Sequence, residues 1–218
     1  MLFRSQLERL VGALAKQGVL DHTILVVTGD HGEAFHENGR VTHAREPFEP
    51  VVRVPCIIHA PVHLAAGVDD YPTQHIDLVP TVLGLLGRSA HPNFQGINVL
   101  AADRPPPDER LLFFHVENGV ARVDAVLLGG RWKLSHNRRT DQHALFDLAT
   151  DPGETHDVSG ANQDVTDRLL SVLHTWRRQQ LGYYYFPQYY RKFYPPAAPG
   201  LGHEHESNVL RDETVASY

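Results

Sequence analysis

The stretch Ile24 to Glu33 reads Ile-Leu-Val-Val-Thr-Gly-Asp-His-Gly-Glu, and it decides the fold class. Its first residues, Ile24 to Val27, form an unbroken apolar run of the kind that fills a strand buried on both faces. Asp30 and His31 follow at once, where open α/β sheets bind ligands, outside the carboxyl ends of their strands. The stretch therefore predicts a buried strand that leads into a candidate site.

Apolar residues at regular spacing predict further helices and strands on both sides of this stretch. Residues 5–17 have the periodicity of an amphipathic helix, which Gly18 would end. Downstream, Val51 to His59 is predicted to be a second strand and Ile76 to Leu86 a second helix, closed by Gly87. This alternation of helices and strands indicates an α/β arrangement.

The pattern changes after Pro105 to Pro107, a run that cannot continue a helix or a central strand. Short alternating segments separated by Asn-Gly and Gly-Gly dipeptides then predict β-hairpins. A helix is predicted from Val165 to Leu181. The predicted strands are Leu111 to Val116, Ala121 to Leu128, Arg131 to His136 and Leu145 to Leu148.

Three regions follow from these patterns. Residues 1–100 are expected to form part of a mixed sheet flanked by helices, in an α/β fold. Residues 101–182 are expected to form a small antiparallel subdomain with one covering helix. Residues 183–218 are expected to be an aromatic strap and a polar tail.

Composition limits the classes of partner and the compartment. Acidic residues outnumber basic ones by 26 to 20, so nucleic acid is not an expected partner. The single cysteine, Cys56, excludes an intrachain disulfide framework and is predicted to be a buried strand residue. No stretch approaches the roughly 20 apolar residues of a membrane span, and Met1 to Arg4 has no signal-peptide core. The chain is expected to be soluble as written, with compartment and oligomeric state open.

Asp30 and His31 have the chemistry of a metal-binding pair. Gly29 and Gly32 on either side permit the tight backbone path that would turn a carboxylate and an imidazole toward one ion. Mixed oxygen and nitrogen donors suit zinc or manganese, and calcium or magnesium less obviously. A pair of this kind is a weak signal by itself, so the surrounding segments decide its interpretation.

Several further segments occur in a characteristic order around this pair, together with Gly96 in a short loop. They are Val26–Glu33, Glu37–Gly39, Val52–Ile58, His75–Leu83, Arg131–Leu134 and Leu145–Thr155. In order and spacing they resemble the sulfatase family of the alkaline phosphatase superfamily, from about residue 5 to residue 180. The resemblance implies an alkaline-phosphatase-like fold.

The resemblance also implies roles for three residues. Asp30 and His31 match the metal-ligand pair of the family, which implies that they bind a divalent ion, Ca, Zn or Mn. His43 falls where many sulfatases have lysine and where phosphoethanolamine transferases have histidine. A histidine can bind a second metal, donate to the ester oxygen or protonate the leaving group.

The implied activity is metal-dependent hydrolysis of a sulfate ester, with a small anionic ester as substrate. One alternative is a phosphoethanolamine or phosphoglycerol transferase, or a phosphodiesterase, of the same superfamily. Another is a catalytically silent remnant that acts as a binding or structural module. Because the sequence contains no Cys-x-Pro-x-Arg or Ser-x-Pro-x-Arg nucleophile motif, the chain alone is expected to be inactive.

For several other polar residues, a functional role and a structural role are both compatible with the sequence. Glu33 and His36 are either partners that orient the histidines or ordinary loop residues. For His75, which precedes a predicted helix, a capping or packing role is favoured over metal ligation. Arg53 and Lys133 could reach an anionic ester, but structural roles are favoured for both.

Two segments near the end of the chain are also ambiguous. The aromatic stretch from Tyr183 to Tyr194 is favoured as a strap over the sheet, and contact with a membrane surface is the alternative. His203 to Glu206 has a metal-like composition, but its glycine- and proline-flanked polar setting favours a solvated tail.

Overall fold

The computed structural model describes residues 2–39, 41–43, 45–91, 94–186, 188, 195 and 197–201. Its α-helices are α1 (Leu2–Lys16), α2 (Glu49–Val52), α3 (Leu78–Leu85) and α4 (Gln163–Tyr185). Its strands are β1 (Leu25–Thr28), β2 (Ala34–Phe35), β3 (Val41–Thr42), β4 (Cys56–His59), β5 (Leu111–Glu117), β6 (Arg122–Leu128), β7 (Trp132–Asn137) and β8 (Gln142–Asp147).

The strand before the candidate site, β1, pairs with β4 in an antiparallel two-stranded sheet. Its register sets Leu25 opposite His59 and Thr28 opposite Cys56. The prediction that the first strand is buried on both faces was wrong, because β1 is half-buried. The prediction that Cys56 is buried was also wrong, because Cys56 and Ile57 of β4 are exposed. In the part of the chain that is described, each of these strands has one hydrogen-bonded neighbour, namely the other strand.

The predicted strand from Val51 to His59 was wrong in its first half. Glu49–Val52 forms the helical turn α2, and the strand begins only at Cys56. Pro50 lies in the first turn of α2, where its fixed φ and missing N–H suit a helix start. The carbonyl of Val51 accepts the N–H of Gly32 at 2.7 Å, so α2 is also bonded to the loop after β1.

The two other predicted helices of this region are present. After α1, Gly18 has a φ of +70°, and after α3, Gly87 has a φ of +64°, which is the left-handed conformation that ends helices. A 3₁₀ turn at His75–Asp77 leads into α3. It is capped reciprocally: the side chain of Gln74 bonds the backbone of Asp77, and the side chain of Asp77 accepts the N–H of Gln74.

The predicted hairpins form a four-stranded antiparallel sheet in the order β5-β6-β7-β8. Gly129 and Gly130 both have positive φ and make the tight turn between β6 and β7, as their sequence indicated. The strands begin and end within a few residues of the predicted bounds. Helix α4 is longer than predicted and continues through the first three tyrosines of the aromatic stretch.

Both faces of this sheet are covered, which explains why β6 is buried along most of its length. One face packs against α4 in an apolar cluster of Leu111, Val126, Leu128, Leu134, Leu145, Leu169, Val172 and Leu173. The other face carries Lys133 and Phe146, which contact Glu49 and Phe48 beside α2. The C-terminal sheet therefore lies between α4 and the segment that follows the candidate site.

The fold class is confirmed as α/β with an antiparallel sheet and a covering helix. Across the described ranges, no helix is both long and apolar enough to cross a lipid bilayer. Of the aromatic stretch, residues 183–186 and 188 are described, and Tyr184 and Tyr185 are exposed. The rest of Tyr183 to Tyr194 and all of His203 to Glu206 lie outside the described residues.

The ion pair between Arg131 and Asp147 gives a prediction for the pH dependence of stability. Arg131 donates to both carboxylate oxygens, at 2.9 and 2.8 Å, and this pairing lowers the pKa of Asp147. A carboxyl with a lowered folded-state pKa contributes stability above its unfolded pKa, and that contribution is lost as pH falls through the folded pKa. Between about pH 5 and about pH 2, the urea midpoint should therefore fall less steeply for Asp147→Asn than for the wild type.

The companion variant Arg131→Met should show the same shallower slope, because it removes the cation that lowers the pKa of Asp147. Urea unfolding followed by circular dichroism at several pH values measures both variants. Slopes equal to that of the wild type would show that the pair does not contribute to the acid dependence.

Candidate metal site

The loop Gly29–Glu33 carries the predicted ligands, and close backbone packing fixes its path. A Cβ added to Gly32 would lie 2.1 Å from the carbonyl oxygen of Pro50, so only glycine fits there. The N–H of Gly32 donates to Val51 at 2.7 Å. On the other side of the pair, Gly29 packs against Val54, whose Cγ1 would be 3.3 Å from an added Cβ.

Asp30 presents its carboxylate to solvent, with its side chain 91% exposed. The backbone N–H of His31 donates to Oδ1 at 3.0 Å, and this bond is the main cause of a lowered pKa at Asp30. The imidazoles of His31 and His43 lower that pKa further. Asp30 is therefore an ionised, accessible oxygen donor at neutral pH.

His31 directs one ring nitrogen toward the same space. Its Nδ1 lies 2.7 Å from the carbonyl oxygen of Gly32. Because a carbonyl oxygen can only accept, Nδ1 carries the proton and Nε2 keeps its lone pair for a ligand. Nε2 lies 3.8 Å from Oδ2 of Asp30. Two zinc–ligand bonds of about 2.0–2.2 Å span that separation, so the pair fits one divalent ion.

His43 lies beside the pair. Its ring stacks on the ring of His31, with centroids 4.0 Å apart and an interplanar angle of 26°. Its Nδ1 lies 3.0 Å from Oε2 of Glu33, so a proton on Nδ1 satisfies the carboxylate and Nε2 is left for a ligand or a proton. The structure thus brings all three predicted site residues together and places Glu33 against His43.

The other residues singled out from sequence lie in different surroundings. His75 does not cap the 3₁₀ turn, as Gln74 and Asp77 do that; its Nε2 lies 2.8 Å from the carbonyl oxygen of Gly29. Arg53 is exposed. Lys133 is buried against Glu49 and Glu154, at 3.0 and 2.9 Å, as its structural interpretation predicted. His36 has a positive φ of 84°, and its carbonyl accepts the N–H of Gly39.

Within the described residues, no group of three or more His, Cys, Asp or Glu side chains converges in the manner of a metal site. Asp30 and His31 therefore form a two-donor arrangement here, with His43 adjacent. Sequence reasoning missed the buried Asp77 and its partner Arg110, which lie behind the His75 turn at 2.7 and 2.8 Å from each other. Nothing in the local sequence links two residues so far apart.

The sequence is similar to those of known sulfatases. The profile of the sulfatase family matches residues 5–88. Choline-sulfatase of Rhizobium meliloti (strain 1021) is 31% identical over 160 residues, which cover 66% of this chain and 28% of that protein. Arylsulfatase K of Mus musculus is 28% identical over 180 residues, which cover 76% of this chain and 32% of that protein. The chain spans less than a third of the length of either relative.

A solved structure shows the same fold. It is a protein in complex with its substrate D-glucosamine-2-N,6-O-disulfate, and it matches with a TM-score of 0.68 and 24% identity over 80% of this chain and 38% of that one. This match confirms the alkaline-phosphatase-like fold class. The profile match over residues 5–88 and the sequence relatives are with sulfatases, and the solved structure shares the fold.

Proposed function

We propose that this chain supplies part of the active site of a metal-dependent sulfate ester hydrolase. Asp30 and His31 bind a divalent ion, and His43 contacts the ester group. The observation that carries the proposal is the 3.8 Å separation between Oδ2 of Asp30 and Nε2 of His31, with the proton of His31 held on Nδ1 by Gly32. Both donors are accessible, and the hydrogen bond from Nδ1 of His31 to Gly32 leaves Nε2 as the atom that faces Asp30.

The proposed substrate class rests on the similarity to sulfatases. The relatives include a choline-sulfatase, and the protein in the matching structure is bound to a sulfated glucosamine. A small sulfate ester is therefore the proposed substrate. A bound divalent ion would polarise an ester oxygen of such a substrate.

The residues of this chain have separable tasks in that site. Asp30 neutralises charge on the ion, and the carbonyl of Gly32 orients the ring of His31. Glu33 holds His43 through Nδ1, so that Nε2 is the atom that can donate a proton to the ester or to the leaving oxygen. The nucleophile and further ligands would come from outside this set of residues, so the chain alone should not turn over an ester.

Metal titration tests the pair directly. Purified protein is titrated with Mn²⁺, followed by electron paramagnetic resonance, and with Zn²⁺ and Ca²⁺ by calorimetry. Asp30→Ala and His31→Ala should each weaken binding by at least about tenfold, since losing a ligand costs no less than losing a partner of a ligand.

The chain offers a matched control, because Asp21 and His22 form a second Asp-His pair on an exposed turn just before β1. Asp21→Ala and His22→Ala should leave the affinity unchanged. If Asp30→Ala and His31→Ala also leave it unchanged, the proposed metal site is wrong, and a silent binding or structural module becomes the better description.

A second candidate, a phosphate ester hydrolase or a phosphoethanolamine-type transferase, is favoured by one observation. Many sulfatases have a lysine, a permanent cation, at the position of His43. This chain has a histidine there, as phosphoethanolamine transferases do, and Glu33 holds its ring. Assays with p-nitrophenyl sulfate, p-nitrophenyl phosphate and bis-p-nitrophenyl phosphate separate the candidates in a protein that carries this chain together with a nucleophile. Faster turnover of either phosphate compound would replace the sulfatase proposal with the second candidate. Metal-dependent turnover by the 218-residue chain alone would contradict its expected inactivity.

A further inference from the structure

The two residues that flank Asp30 and His31 are both held by elements outside their own loop. Gly32 donates its N–H to Val51 of α2 at 2.7 Å and packs directly on the carbonyl of Pro50. Gly29 has its carbonyl oxygen 2.8 Å from Nε2 of His75, in the turn before α3. The position of the metal pair therefore depends on where α2 and the His75 turn lie.

A buried cluster of charges fixes α2 to the C-terminal sheet. Lys133 of β7 lies 3.0 Å from a carboxylate oxygen of Glu49 and 2.9 Å from one of Glu154. The other oxygen of Glu154 accepts the backbone N–H of Glu49 at 2.6 Å. The side chains of Lys133 and Glu154 are each only 1% exposed. This cluster therefore binds the first residue of α2 through both its side chain and its backbone.

A second buried ion pair fixes the His75 turn to the same sheet. Arg110, which precedes β5, donates to both oxygens of Asp77 at 2.7 and 2.8 Å. The carboxylate of Asp77 also accepts the N–H groups of Gln74 and Ile97, at 3.0 and 2.9 Å. Asp77 is 1% exposed and Arg110 is 8% exposed. The turn that presents His75 to Gly29 is thus bonded to the start of the C-terminal sheet.

We propose that Lys133 and Arg110 are positioning residues for the metal pair: each joins the C-terminal sheet to one side of the loop Gly29–Gly32. The proposal rests on the proposed metal-binding function of Asp30 and His31. Lys133 acts through Glu49 and α2 on Gly32, and Arg110 acts through Asp77 and His75 on Gly29. Lys133 bonds to Glu49 and Glu154 and Arg110 bonds to Asp77, so each acts on the loop through other residues.

Energetics favours positioning over a general contribution to stability. Burying three charges requires removing each from water, and replacing a complete buried ion cluster by neutral groups of similar shape is often neutral for stability. The double variant Lys133→Met with Glu154→Gln removes the cation and one anion together, so the net charge is unchanged, and the Glu49 carboxylate that remains is 15% exposed and keeps contact with water. The single variant Lys133→Arg keeps the positive charge, so it tests whether another cation at this position preserves Mn²⁺ binding and the protection of the Gly32 amide.

Three measurements on the full chain separate the two roles. They are Mn²⁺ affinity, the hydrogen-exchange rate of the Gly32 amide by nuclear magnetic resonance, and urea unfolding. The double variant should bind Mn²⁺ on the order of tenfold more weakly. Its Gly32 amide should exchange faster, while amides of β6 and β7 keep their rates. Lys133→Arg should lie closer to the wild type in both.

The control is a double variant of a different ion pair on the same sheet, Arg131→Met with Asp147→Asn. That pair is bidentate and joins β8 to the turn before β7. It should leave Mn²⁺ affinity and the exchange of Gly32 unchanged. The second arm of the proposal predicts that Arg110→Met with Asp77→Asn also weakens Mn²⁺ binding on the order of tenfold.

The outcomes distinguish this inference from the proposed function. If the wild type binds Mn²⁺ and the Lys133 double variant binds it equally well with unchanged exchange at Gly32, the positioning role is wrong and the metal site stands. If the wild type does not bind Mn²⁺, the metal site is wrong, and the exchange rate of Gly32 still decides whether Lys133 positions the loop. If the double variant does not fold, the single variant Glu154→Gln takes its place in the same measurements.

Discussion

Replacing Asp124 by alanine is expected to lower the free energy of unfolding by about 3 kcal/mol, because it removes a buried anion that interacts with two partly buried arginines. Asp124 is 1% exposed and lies on the face of β6 that packs against α4. Its Oδ2 lies 2.9 Å from Arg177 of α4 and 2.9 Å from Arg138, and its Oδ1 lies 2.6 Å from Nδ1 of His115. It therefore joins the covering helix to the sheet.

Urea unfolding followed by circular dichroism measures this loss. Asp124→Asn, which keeps the shape and removes the charge, should fall between Asp124→Ala and the wild type. Asp167→Ala is the control, because Asp167 is an exposed residue of α4 that only accepts a bond from Gln163 one turn away, a contact of about 0.2–0.5 kcal/mol. A loss below about 1 kcal/mol for Asp124→Ala would show that the cations find solvent or other partners.

Substituting Gly96 by alanine is expected to destabilise the fold by about 3 kcal/mol or more, at the upper end of overpacking effects. An added Cβ would lie 2.0 Å from the carbonyl oxygen of Ile76 and 2.8 Å from the backbone nitrogen of Asp77. Both contacts are with backbone, so no side chain can move aside. The clash would also disturb the bond from the N–H of Ile97 to Asp77.

Gly119→Ala is the matched control for this prediction, since nothing lies within 4 Å of its added Cβ. Its unfolding free energy should change by no more than about 0.5 kcal/mol. The thermal midpoints of both variants, measured by scanning calorimetry, give the comparison. Equal midpoints would mean that the loop at Gly96 relaxes without cost and that glycine is not required there.

Local patterns predicted the elements whose formation depends on neighbours in the sequence. The hairpin turns at Gly129 and Gly130, the helix ends at Gly18 and Gly87, and the position of Asp30 directly after a strand all follow from short-range rules. The Val51 to His59 segment shows where such rules conflict. Its apolar residues favour a strand, whereas Pro50 and the bond between Val51 and Gly32 stabilise a helical turn.

Contacts between distant parts of the chain could not be predicted from the sequence. Lys133 stands in an alternating strand that is compatible with exposure, but it is buried because Glu49, 84 residues earlier, lies against the same face of the sheet. The exposure of Cys56 was also unpredictable, because burial of a strand depends on how many neighbours cover it. The association of His43 with His31 and Glu33 agrees with the resemblance, but its chemical role stays a prediction.

The bond from the N–H of Glu49 to Glu154 has a consequence for the timing of synthesis. These residues are 105 positions apart, and a ribosome adds about 5 to 20 residues per second. Asp30 and His31 therefore leave the ribosome several seconds before the residue that fixes α2 has been made. During that interval α2 lacks this bond, so under the proposed metal-binding function we expect metal uptake to follow completion of the C-terminal sheet rather than accompany translation.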